Sequence, residues 1–104
     1  MEKYNVIIET PAISDIDGIF DYIANVLKEP RIAERICCSI ESAVFSLRKS
    51  PLWYSVIEWE PFFSKEIRKM PAENYLIFFT VDKELHEVHV LRVMYNRRNW
   101  QNLL

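Results

Sequence analysis

The residues best suited to chemistry crowd into one end of the chain, Leu91–Leu104 (LRVMYNRRNWQNLL). Arg92, Arg97 and Arg98 stand there with Tyr95, Trp100 and several amides, and with no acidic residue. Such an unopposed cluster can hold an anionic partner even on an acidic protein, because salt confines each field to roughly 10 Å at ~0.1 M. Arg68 joins the set if it and Arg92 both project from a sheet face that no helix covers. The plainer reading is that strand arginines of this kind are solvated or ion-paired.

Other chemistries find little support. His86 falls at a turn and His89 in a strand, without a nucleophile on a recognisable elbow or an acidic partner at triad spacing. Gly18 is the only glycine, so a glycine-rich phosphate loop is excluded. Asp15 and Asp17 read as helix-dipole partners in the early turns of a helix rather than as a metal or acid–base pair. Cys37 and Cys38 are adjacent, a strained spacing for a bridge and a poor start for a zinc site, so they read as reduced thiols. No metal and no cofactor is expected.

Several elements must position these groups. Tyr4, Val6 and Ile8 alternate with Asn5, Ile7 and Glu9 as a first strand. Thr10 fits an N-cap and Pro11 the first helical position. Ala12, Ile16, Ile19, Phe20, Ile23 and Leu27 form one helical stripe, and Ala33, Ile36, Ile40, Ala43, Val44 and Leu47 a second, broken at Lys28–Pro30. Residues 11–49 are therefore a helical hairpin whose stripes need a third surface.

A sheet supplies that surface, with strands expected near Ser64–Met70, Tyr75–Val81 and Glu87–Tyr95 and turns at Pro71–Asn74 and Asp82–Glu84. Tyr75–Val81 is apolar on both faces and reads as the central strand. On the last strand, alternation puts Val88, Val90, Arg92 and Met94 on one face and His89, Leu91, Val93 and Tyr95 on the other, unless a bulge intervenes. Trp53, Tyr54, Trp59, Phe62 and Phe63 form an aromatic cluster that suits edge packing or a partner contact better than a ligand-stacking platform.

With 104 residues, half of them apolar, the chain suits one domain, residues 1–104. Its net charge of −2 disfavours broad nucleic-acid binding. The absence of a leader-like opening or a long apolar run points to a cytoplasmic protein without membrane contact.

The order strand, helix, helix, strand, strand, strand, together with YNVIIETPA (4–12), DYI (21–23), PRIAERI (30–36), NYLIFFTVD (74–82) and above all VLRVMYNRRNWQNLL (90–104), resembles the RelE/ParE superfamily of type II toxin–antitoxin toxins. The resemblance spans nearly the whole chain. It implies an α+β fold, β-α-α-β-β-β, with the helical hairpin packed on a mostly antiparallel twisted sheet. It implies a growth-arresting toxin neutralised by a cognate antitoxin, with Trp53, Trp59 and Phe62 as candidate anchors for that partner and the basic end, Arg92, Arg97 and Arg98, as the candidate contacts to the macromolecular target.

Two chemistries occur in the superfamily. ParE-like members poison DNA gyrase; RelE-like members cleave messenger RNA on the ribosome, for which Arg68, Arg92, Tyr95, Arg97 and Arg98 are the candidate catalytic groups here. The arginine that RelE-like nucleases carry on the central strand falls at Leu76, and the basic residue beyond the last strand falls near Asn96. A missing charge stabiliser of this type costs ~3 kcal/mol, about a hundredfold in rate. The ParE-like side is therefore favoured, with the messenger RNA endonuclease and a non-toxic antitoxin-binding relic as alternatives.

Overall fold

A computed structural model describes residues 3–104. Strand β1 (Asn5–Ile8) leads into helix α1 (Thr10–Asp21), which widens into a π-helical turn (Tyr22–Val26); helix α2 (Pro30–Ser46) follows. A short 3-10 turn (Pro51–Trp53) precedes the strands β2 (Arg68–Ala72), β3 (Tyr75–Asp82) and β4 (Glu87–Tyr95), and a last 3-10 turn (Trp100–Asn102) closes the chain. The sheet order is β1-β4-β3-β2, with β1 parallel to β4 and the other pairings antiparallel. Among the described residues no helix is long and apolar enough to cross a membrane.

Local sequence accounts for the helix starts. Pro11 and Pro30 occupy first-turn positions, where a missing N–H leaves nothing unpaired. The cap of α1 is Glu9 rather than the expected Thr10, which is already helical. The helix also departs from its expected course at Tyr22. The wider turn keeps Ile23 buried but turns Val26 and Leu27 outward, so Leu27 leaves the apolar stripe. Lys28, at φ 58, then reverses the chain in the left-handed region.

The sheet lies between two cores. On the helix side, Ala12, Ile40, Val44 and Leu47 pack on Met70, Ile77, Phe79, Val88, Val90 and Val93. On the other side, Ile57, Phe62 and Ile67 from the irregular 57–67 segment, with Trp100 from the tail, cover Phe78 and Met94. That double burial explains why β3 is apolar on both faces. The second strand begins at Arg68, later than the expected Ser64, because residues 59–66 turn back over the second core instead of extending.

A bulge decides which residues of β4 face which core. Phe78 pairs with Arg92 but Phe79 with Val90, leaving Leu91 as the extra residue. Simple alternation predicts Val88, Val90 and Met94 on one face; instead Val88 and Val90 share the helix side with Val93, and Met94 joins Leu91 on the other.

The bulge falls where β1 ends. The N–H of Glu9 bonds the Val90 carbonyl, and beyond it the edge of β4 has no strand to pair with. Asp15 of α1 takes that place. Its carboxylate accepts the Val93 N–H at 2.9 Å and the Arg92 Nε and Nη2 at 2.7 and 2.9 Å. Arg92 Nη1 reaches on to the carbonyl of Leu103 at 3.3 Å. Helix, strand edge and tail thus meet at one ion pair, whose side chains are only 26% (Arg92) and 13% (Asp15) exposed.

Removing one partner of a buried pair costs ~3–5 kcal/mol, and partial exposure lowers that figure. Asp15→Ala is therefore expected to cost about 2–4 kcal/mol, lowering Tm by roughly 10–20 °C. Asp17→Ala, on the exposed side of the same helix, should stay within about 0.5 kcal/mol. Thermal and urea unfolding of the two variants checks both expectations.

Candidate functional site

The hairpin does not close over the whole sheet. Where the π-helical turn and the start of α2 stand off from the ends of β3 and β4, a groove of about 750 Å³ remains. Its helical wall carries Ile19, Tyr22, Leu27, Ile32 and Ile36; its sheet wall carries Tyr75, Val93 and Tyr95. The rings of Tyr75 and Tyr95 meet edge to face at 5.7 Å. Gly18 opens onto the same groove with nothing within 4 Å of where a Cβ would stand.

Charge marks the groove's rim. Asp15 and Arg98 line it, as does Glu73 at the tip of the β2–β3 hairpin. Glu73 takes the left-handed conformation, at φ 57, and is held against α2 by Ser39 Oγ at 3.0 Å and Arg35 Nη1 at 3.1 Å. Those hydrogen bonds, Ser39 first and Arg35 second, hold the Glu73 carboxyl below the ordinary glutamate range. Burial, reinforced by Cys37, Tyr95 and Tyr22 nearby, pushes the Tyr75 phenol up. Burial likewise raises the Cys37 thiol, beside the exposed Cys38; both are free thiols on α2.

The arginines expected to act together are held apart. Arg92 is engaged by Asp15, whose hydrogen bonds raise its pKa further. The reading of Asp15 as a helix-dipole partner missed this pairing. Arg68 donates to the Tyr54 carbonyl at 2.5 Å, and its register opposite Phe79 aligns it with Met70 and Ala72, the helix-side residues of β2. No bare face carries Arg68 and Arg92 side by side, because the 57–67 segment and the tail cover the second core. Arg97, Arg98 and Tyr95 are exposed, and Tyr95 and Arg98 meet at the groove. Leu76 packs against the second core opposite Met94, so the central strand offers no cation there.

The aromatic candidates divide three ways. Phe62 is 2% exposed and cannot anchor a partner; it walls the second core beside Trp100, with ring centroids 5.8 Å apart. Trp59 stacks on Trp100 at 5.9 Å, and Lys69 Nζ lies 5.2 Å from the Trp100 ring centroid. Only Trp53 stands clear, 82% exposed.

Sequence reading also passed over two polar features. Lys69 was hidden because its ring partners lie on distant segments. His89 stands between Glu87 Oε1 at 3.2 Å and Glu9 Oε2 at 3.7 Å, with the parallel pairing of β1 and β4 supplying Glu9. Among the described residues no group of three or more His, Cys, Asp or Glu could hold a metal ion.

A helical hairpin over a four-stranded mixed sheet is the architecture of solved toxin–antitoxin structures. The chromosomal ParDE TA system from P. aeruginosa aligns with a TM-score of 0.72 at 22% identity, covering 89% of this chain and 96% of that one. The RelBE2 toxin–antitoxin complex from Mycobacterium tuberculosis aligns with a TM-score of 0.66 at 21% identity, covering 89% and 98%. No curated relative matches in sequence. The chain belongs to the ParE toxin family: the family profile, ParE toxin of the type II toxin–antitoxin system parDE, matches residues 6–100.

The Glu73 shift has a definite sign. A carboxyl depressed in the folded state contributes stability that is fully present above its unfolded pKa, ~4.3, and lost as pH falls through the folded value. NMR titration of Glu73 is expected to show a midpoint below that of an unfolded-chain glutamate. Ser39→Ala, which removes the larger cause, should move the midpoint upward.

Proposed function

We propose that this ParE-family toxin is a single cytoplasmic domain that arrests growth by binding a macromolecular target, DNA gyrase, and that a cognate antitoxin neutralises it. The observation that carries a binding rather than a cleaving mode is the engagement of Arg92 by Asp15, with Leu76 on the central strand where a nuclease needs a cation. Cleavage of RNA at a 2′-OH requires a stabiliser free to meet the developing phosphate charge. An arginine already paired to a carboxylate must first give up that partner.

The antitoxin reading rests on the groove. Apolar side chains from the hairpin and tyrosines from the sheet present one continuous recess, with Glu73 and Arg98 on its rim to orient a charged segment. An amphipathic helix from a partner fits such a recess, its apolar face inward. The structures this fold resembles come from toxin–antitoxin systems.

Induced expression without antitoxin is expected to stop growth and to produce DNA breaks that disappear in cells with a resistant gyrase. Intact DNA together with codon-positioned messenger RNA cleavage would instead identify a ribosome-dependent endonuclease using Tyr95, Arg97 and Arg98. Harmless expression would identify a relic that only binds antitoxin.

Ile32→Glu places a charge on the exposed helical wall of the groove without touching either core. It should weaken antitoxin binding by at least about tenfold, consistent with ~1.4 kcal/mol for a single hot-spot contact, while Tm changes by no more than a few degrees. Calorimetric titration of the antitoxin's C-terminal peptide checks this.

A further inference from the structure

A second recess, of about 760 Å³, opens at the C-terminal end of α2 and shares no lining residue with the groove. Lys3, Phe45, Arg48, Lys49, Trp53 and Tyr54 surround it. We propose that it binds single-stranded nucleic acid, with a base stacked on Trp53 and the adjoining phosphates held by Arg48, Lys49 and Lys3.

Charge is the first ground. The recess gathers three cations and no carboxylate, on a chain whose net charge is −2. None of the three is ion-paired among the described residues, in contrast to Arg35 and Arg92. Ser42 and Ser50 add hydroxyl donors at the same place.

Aromatic exposure is the second ground. Trp53 is 82% and Phe45 62% exposed, and neither belongs to a core. The Arg48 guanidinium lies 4.5 Å from the Phe45 ring centroid, an arrangement that props the cation at the surface. One unit of ring plus cation, Phe45 with Arg48, therefore shares the recess with a second exposed ring, Trp53, and a second cation, Lys49.

A single strand supplies that pairing in every nucleotide, one flat π face and one negative charge, and base stacking on exposed aromatics is sequence-tolerant. An acidic peptide provides charge but no flat face for each charge. A duplex keeps its base faces stacked inside. The acidity of the remaining surface limits the contact to this patch, so the footprint is two or three nucleotides.

Fluorescence anisotropy of labelled dT12 and rU12 with the full chain tests the proposal. Three phosphate contacts on a single strand should weaken binding roughly twentyfold between about 50 and about 200 mM salt. Trp53→Ala should cost at least about tenfold at fixed salt, and Arg48→Glu with Lys49→Glu should abolish binding; Tm measurements on the same proteins verify folding. A Trp53-dependent preference for either oligonucleotide supports the site, and repeating the comparison with dU12 against rU12 separates the sugar from the thymine methyl.

No binding to either oligonucleotide, or binding indifferent to Trp53→Ala, overturns the proposal. So does tighter, Trp53-dependent capture of a labelled Glu/Phe-rich peptide, which would make the recess an acidic-peptide site. The inference stands apart from the gyrase reading: growth arrest through gyrase is compatible with either result.

Discussion

The carboxylate of Asp15 at the open edge of β4 is the constraint on which the rest of the structure depends. A strand that loses its neighbour part-way along leaves backbone donors facing whatever lies beside it, and a buried unpaired N–H is costly. Here the side chain of a helix replaces the missing strand, accepting the Val93 N–H while neutralising Arg92. The same contact fixes the height of α1 over the sheet. The groove lies between the helices and the sheet.

Much of the architecture was legible in the chain because it is written in local periodicity. The two helical stripes, the prolines at the helix starts and the doubly apolar run of β3 each depend on neighbours within a few residues. What was hidden depends on pairs far apart. Asp15 and Arg92 are separated by 77 positions, and nothing in either local pattern announces the other. The Leu91 bulge was equally silent, since one extra residue re-phases a strand without altering its composition. Phe62 reads as a candidate anchor because aromatics dominate interface energetics, and nothing local shows that its irregular segment folds over the second face of the sheet.

The candidate sites show the same division. That Arg92, Arg97, Arg98 and Tyr95 cluster in sequence was visible, but their separation in space was not. The bulge and the Asp15 carboxylate claim Arg92, the turn after β4 leaves Arg97 and Arg98 in solvent, and Tyr95 goes to the groove. A basic end that looked like one catalytic patch becomes a structural strut, two free cations and a groove wall.

The parallel pairing of β1 with β4 also sets a schedule for synthesis. Asn5–Ile8 find their partners at Glu87–Val90, so the first strand stays unpaired until β4 has emerged from the ribosome. Throughout that interval both helices carry apolar stripes with no sheet to cover them, the condition under which nascent chains associate with whatever apolar surface is at hand. A chain built this way completes its sheet only once β4 has been made, and a partner already present would meet an unfinished fold before a finished one.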